Sequence, residues 1–183
     1  MISKITRLAQ ISSIIDNFTQ RLGKVASWFV SLLILLVSVI VVFRYGFSFG
    51  SIALQESVMY VNAAIFIFGA PYTLMTDGHV RVDVFYSRLG EKGKSFVNAL
   101  GTLLLLMPAM ILIILTSEDY VRMSWQIFER SPESSGLPFV YLLKTLILVI
   151  AALLFLQGVS ELLKSCRVFA ISNAAQSKAE TGK

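Results

Sequence analysis

A long uncharged run within the chain constrains its fold more than any other feature. It extends from Ser57 to Thr76, with Glu56 directly before it and Asp77 directly after it. A helix of about twenty apolar residues is long enough to cross a hydrocarbon core of ~30 Å. The run therefore predicts a membrane-spanning helix with a charged group at each end.

The composition extends this prediction to the whole chain. Its 183 residues are 56% hydrophobic with a mean hydropathy of +0.74, which is too apolar for a soluble domain. No polar stretch is long enough to fold by itself. Three more apolar runs lie at about Ala26–Phe43, Ser95–Ser117 and Phe139–Ser160. The predicted fold class is an all-α membrane protein with four transmembrane helices.

The N-terminal segment predicts a different kind of helix. In residues 1–24 apolar side chains recur at helical spacing, and polar and basic side chains occupy the other face. This pattern is typical of an amphipathic helix in the headgroup layer. The dispersed apolar residues and the lack of a small-residue cleavage site argue against a signal peptide. The predicted organisation is an interfacial helix over 1–24, a four-helix transmembrane domain over 25–165, and a disordered cytoplasmic tail over 166–183.

The basic residues predict the orientation in the membrane. Twelve Lys and Arg lie in the N-terminal segment, the 77–94 loop and the C-terminal tail, whereas the 44–55 and 118–138 loops hold three. Cytoplasmic loops carry the excess of Lys and Arg. We therefore expect a multi-pass protein of the bacterial inner membrane with both termini in the cytoplasm. The same bias explains the net charge of +5 without a nucleic-acid partner.

Five residues are the candidate site residues, because they are ionisable groups near the ends of the predicted spans: Arg44, Glu56, His79, Asp83 and Lys144. Long side chains near a membrane end can extend to the interface. Alternatively, Glu56 pairs with Arg44 or Lys144 across the helices. We expect such pairing to be structural rather than part of ion transport.

The sequence carries no recognisable equipment for covalent chemistry. His79 is the only histidine, and haem ligation by two histidines needs a second one. The Asp77, His79 and Asp83 spacing is only weakly diagnostic of a metal and is more typical of a structured loop. Phosphate-binding loops and nucleophile elbows are absent, and Cys166 is the single cysteine. We therefore predict no enzymatic activity, no cofactor and no metal.

Several motifs together resemble one transporter family. They are, in chain order, Arg44-Tyr45, Glu56, Phe68-Gly69-Ala70, Gly78-His79-Val80-Arg81-Val82-Asp83, Trp125, Glu129-Arg130-Ser131-Pro132-Glu133, Leu137-Pro138, Lys144 and Leu156-Gln157. Over about residues 25–165 the chain is similar to the small membrane subunit, DctQ, of the tripartite ATP-independent periplasmic (TRAP) transporters.

The resemblance implies a function that composition does not reveal. In such systems a periplasmic binding protein of the DctP type captures a small organic acid, and a large membrane subunit of the DctM type moves it with a sodium gradient. The small subunit packs in the bilayer against the large one as a scaffold and helps to receive the binding protein. The five candidate residues would then serve assembly or loop structure.

Two other functions remain open from the residues alone. One is a self-sufficient four-helix exporter that is coupled to protons through Glu56. The other is the membrane anchor of a redox enzyme, for which His79 is the only histidine that could bind a haem.

Overall fold

The computed structural model describes residues 2–78, 86 and 89–181, with side chains for most of them. The described chain is helical, and four of its stretches are long and apolar enough to cross a membrane. This confirms the predicted fold class. The helices are α1 (Ile2–Gly46), α2 (Ile52–Met75), α3 (Glu91–Gly101), a π-helical segment (Thr102–Leu106), α4 (Met107–Gln126) and α5 (Val140–Thr181).

The first helix joins two segments that the sequence analysis separated. α1 continues without a break from Ile2 to Gly46, so residues 2–24 and the first span belong to one helix. Ser12 and Thr19 are buried, whereas Ile14 and Phe18 are exposed. The polar stripe therefore faces another helix, and an apolar stripe faces outward. That the first turns lie in the headgroup layer stays a prediction.

The third span consists of three helical pieces and is longer than predicted. α3, the π-helical segment and α4 follow one another directly from Glu91 to Gln126. The predicted span ends at Ser117, directly before the charged residues begin. Glu118 and Asp119 instead lie on the last turns of α4, because charged side chains do not interrupt a helix outside the hydrocarbon layer.

The fourth span, α5, is the centre of the helix packing. It contacts α1, α2, α3, the π-helical segment and α4, whereas among the described residues the third span makes its substantial contacts outside itself only with α5. Close approach is possible at Gly158, where an added β-carbon would lie 3.0 Å from Leu106 Cδ2. α1 and α2 therefore pack on one side of α5 and the third span on the other.

The C-terminal segment is helical where the sequence analysis predicted a disordered tail. α5 continues through residues 166–181 to Thr181. Extension of a formed helix requires no new nucleation. Ala, Gln, Lys and Glu favour helix in this segment, which has neither Pro nor Gly before Gly182.

The surface of the described chain is apolar and several of its buried side chains are polar. Trp28, Leu105 and Leu115 are each more than 60% exposed, whereas Gln157 and Ser160 have no exposed surface. A soluble protein shows the opposite arrangement. The surrounding solvent is therefore lipid, and polar contacts hold the helices together.

Candidate functional site

Polar side chains of the described helices concentrate at two ends of the molecule. Lys144 and Lys164 mark these ends on α5, and their separation of twenty positions corresponds to about 30 Å of helix, the thickness of a hydrocarbon core. We call the region around Glu56, Lys144 and residues 127–139 the loop end. The region around Asp16, Gln157 and Lys164 is the terminal end.

At the loop end, Glu56 of α2 holds the connection between α4 and α5. Its Oε1 accepts a hydrogen bond from the Ser131 hydroxyl, and its Oε2 accepts one from the Leu137 backbone N–H at 2.6 Å. The Ser131 N–H donates to the Leu137 carbonyl at 3.2 Å and closes the loop. One carboxylate thus fixes both ends of the 131–137 segment.

The loop needs glycine at position 136. A β-carbon there would lie 2.5 Å from Ser131 Cβ and 2.7 Å from Glu56 Oε1. Contacts this short are not possible without displacing the Glu56 carboxylate. Gly136 therefore permits the close approach of the loop to Glu56.

Lys144 makes a separate ion pair next to this loop. Its Nζ lies 2.5 Å from Glu129 Oε2 and 4.0 Å from the centre of the Tyr120 ring. The predicted pair between Glu56 and Lys144 or Arg44 is therefore wrong, because backbone and hydroxyl donors of the loop satisfy Glu56 and Glu129 takes Lys144. Arg44 is exposed in the last turn of α1 and has no acidic partner among the described residues.

The Lys144–Glu129 pair predicts a pH dependence. The hydrogen bond from Lys144 lowers the pKa of the Glu129 carboxyl below its usual value. A lowered pKa gives stability that is present above the unfolded-state pKa and is lost as the pH falls through the folded-state pKa. Lys144→Gln should therefore lower the melting temperature in detergent at pH 7, and the difference from wild type should shrink as the solution is acidified.

Lys24→Gln is the matched control, since Lys24 is exposed and no ion pair of the described residues includes it. A difference between wild type and Lys144→Gln that is independent of pH would contradict the prediction.

Aromatic contacts fix the end of α4 on the start of α5. The Trp125 indole N–H donates to the Thr145 hydroxyl at 2.8 Å, and the Trp125 and Tyr141 rings are 4.7 Å apart. Phe128 has a φ of 45°, in the left-handed region, and the Glu129 N–H donates back to the Ser124 carbonyl at 3.0 Å. This is the Schellman ending of a helix, with a phenylalanine where glycine is usual. It directs the chain into the loop that Glu56 holds.

At the terminal end, a hydrogen-bonded network joins α1 to α5. The Gln157 side chain accepts from the Thr19 hydroxyl at 2.7 Å and donates to Asp16 Oδ1 at 3.0 Å. The Ser160 hydroxyl donates to the same Asp16 oxygen at 2.7 Å. Lys164 Nζ lies 2.9 Å from Asp16 Oδ2 and 2.7 Å from Glu161 Oε1. Each buried polar side chain of this network therefore has a partner.

This network was not predicted, although the sequence carries a signal for it. Ser12, Asp16 and Thr19 share one stripe of α1, and Gln157, Ser160 and Lys164 share one stripe of α5. Two polar stripes on amphipathic helices can face each other instead of water. The polar face of residues 1–24 was assigned to water and headgroups, and only the helix packing shows its partner.

The five candidate residues are thus not one site. Glu56 and Lys144 both contact the α4–α5 connection, whereas Arg44 is separate and His79 and Asp83 lie outside the described residues. Within the described ranges, no three His, Cys, Asp or Glu side chains come together in a way that could hold a metal ion.

Comparison with known proteins identifies the family. The model of the DctQ component of the tripartite ATP-independent periplasmic transporters matches residues 33–168, which include α2, the third span and most of α5. No curated protein and no solved structure matched the chain. Because the match covers most of the sequence and the structure has the expected helices, the chain belongs to the DctQ family, the small membrane component of these transporters.

Proposed function

We propose that this small subunit is a scaffold that supports a DctM-type large subunit in the sodium-driven uptake of a small organic acid delivered by a DctP-type binding protein. The family match over residues 33–168 carries the proposal. The distribution of polar groups supports it. Transporters that carry their own substrate place polar groups near the membrane midplane. The polar networks described above lie at the two ends of the helices instead.

The bonding of Glu56 supports an assembly role for the loop end. Its two carboxylate oxygens accept hydrogen bonds from the loop, from Ser131 and Leu137. A proton-carrying carboxylate would have to leave these donors unsatisfied in each cycle. We therefore assign Glu56 and Lys144 to loop structure and subunit assembly, and we propose the same role for Arg44, His79 and Asp83.

The orientation is part of the proposal. The excess of Lys and Arg on the 77–94 loop and on both termini favours a cytoplasmic location for them in the inner membrane. The loop end, with the structured 131–137 segment, would then face the periplasm, where a binding protein arrives.

The test begins with purification of the tagged chain from its native membrane in mild detergent. A larger polytopic protein should co-purify in stoichiometric amount. Liposomes should then take up the acid that the purified binding protein carries only when both membrane subunits, the binding protein and an inward sodium gradient are present. A chain that purifies alone or as a homodimer, or that transports by itself, would contradict the proposal.

A further inference from the structure

The π-helical segment in the third span leaves the Leu103 backbone carbonyl without a helical donor. The Met107 N–H donates to the Thr102 carbonyl, five residues back. In an α-helix that N–H would donate to the Leu103 carbonyl. The next possible donor to Leu103, five residues on, is Pro108, which has no N–H. Both regular donors to the Leu103 carbonyl are therefore lost.

This carbonyl lies within a span where lipid offers no replacement. Residues 102–106 are near the middle of the predicted Ser95–Ser117 hydrocarbon segment. An unsatisfied backbone group in hydrocarbon costs several kcal/mol, so irregular backbone at this depth is usually covered by protein or water. Acyl chains carry no hydrogen-bond donor.

Two leucines next to the carbonyl form an uncovered apolar face. Leu103 and Leu104 are 53% and 60% exposed, whereas Thr102 is buried. Thr102 and Leu106 pack next to Gly158 of α5. Because the third span packs mainly on α5, this leucine face has no neighbouring helix in the described part of the chain.

We propose that a transmembrane helix of the large subunit covers the face of Leu103 and Leu104 and donates a hydrogen bond from a hydroxyl or amide side chain to the Leu103 carbonyl. The inference rests on the proposed function, which supplies the partner. The missing donor favours a protein helix over lipid, because only the former brings a hydrogen-bond donor to this depth.

Site-specific photo-crosslinking in native membranes tests the contact. A photoreactive residue replaces Leu104 in one variant and Ile34 in the other, since Leu104 and Ile34 of α1 are similarly apolar and are 60% and 64% exposed. We expect crosslinks from position 104 to the large subunit at several times the yield from position 34. If the large subunit co-purifies but the two yields are equal, the inference fails while the proposed function stands. Crosslinks from position 104 to a second copy of this chain would also overturn it.

Pro108→Ala tests the hydrogen bond itself. Without the proline the segment can return to α-helical register, in which the Met107 N–H donates to the Leu103 carbonyl and the new N–H at position 108 donates to the Leu104 carbonyl. The isolated chain should therefore be at least as stable as wild type. Its affinity for the large subunit should fall by about three- to tenfold, as expected for one interhelical hydrogen bond. Ile34→Ala, on the exposed face of α1, is the control and should leave the affinity for the large subunit unchanged. Unchanged affinity in Pro108→Ala would overturn the proposed hydrogen bond.

Discussion

Glu56→Gln should release the α4–α5 connection. The amide keeps the size of the side chain but replaces one acceptor oxygen by an NH2 group, so either the Ser131 hydroxyl or the Leu137 N–H loses its partner. Hydrogen bonds to a charged group contribute about 1.5–3 kcal/mol. We expect a loss of about 2 kcal/mol in the free energy of unfolding, measured by thermal or denaturant unfolding in detergent.

Limited proteolysis separates a local effect from a global one. Arg130 lies directly before the held segment and is exposed, so trypsin should cleave after it faster in Glu56→Gln than in wild type. Glu118→Gln is the matched control, because it removes the same charge from an exposed position on α4. If the two variants have the same stability and the same cleavage rate, Glu56 does not hold the loop.

Gln157→Leu should separate the N-terminal half of α1 from α5. Gln157 has no exposed surface, accepts a hydrogen bond from Thr19 and donates to Asp16 and Glu161. Leucine has a similar size but leaves the buried Thr19 hydroxyl without its acceptor. Removing one partner from a buried pair costs about 1–3 kcal/mol, and interhelical hydrogen bonds in membranes average less. We expect a loss of about 2–3 kcal/mol in the free energy of unfolding for the three bonds together.

A double-mutant cycle with Thr19→Val isolates the contact between the two helices. The double variant should be less destabilised than the sum of the two single variants, because each removes the same hydrogen bond. Gln20→Leu, on the exposed face of α1, is the control and should leave stability nearly unchanged. Fully additive effects would show that Thr19 and Gln157 do not interact.

The local pattern of the sequence was sufficient for the spans and the family. Each span is a run of apolar residues about as long as the membrane is thick, and in lipid such a run has to satisfy its own backbone as a helix. The run after Glu56 therefore predicted α2 correctly, and the match of the family model to residues 33–168 agrees with the resemblance drawn from the motifs. The end of α4 was misplaced because hydropathy marks the edge of the hydrocarbon and not the end of a helix.

The partners of the charged residues depended on tertiary structure. From the sequence, Glu56 and Lys144 were plausible partners, since both lie near the same membrane end. In the fold, Glu56 accepts hydrogen bonds from Ser131 and Leu137, more than seventy residues away in sequence, and Lys144 pairs with Glu129. Which donor reaches the Glu56 carboxylate depends on the path of the α4–α5 connection and on the space at Gly136. The periodicity of apolar residues in the sequence contains neither kind of information.

The sequence by itself thus determined the apolar helices, because membrane length and backbone hydrogen bonding act within each segment. Only the tertiary structure decided that the polar stripe around Asp16 faces the polar stripe around Gln157, with α1 and α5 in contact. An amphipathic pattern indicates that a helix has a polar face. Water, headgroups or the polar face of another helix can each supply the hydrogen-bond partners of that face. Here the packing of the helices, which brings together residues about 140 positions apart, supplies the partner.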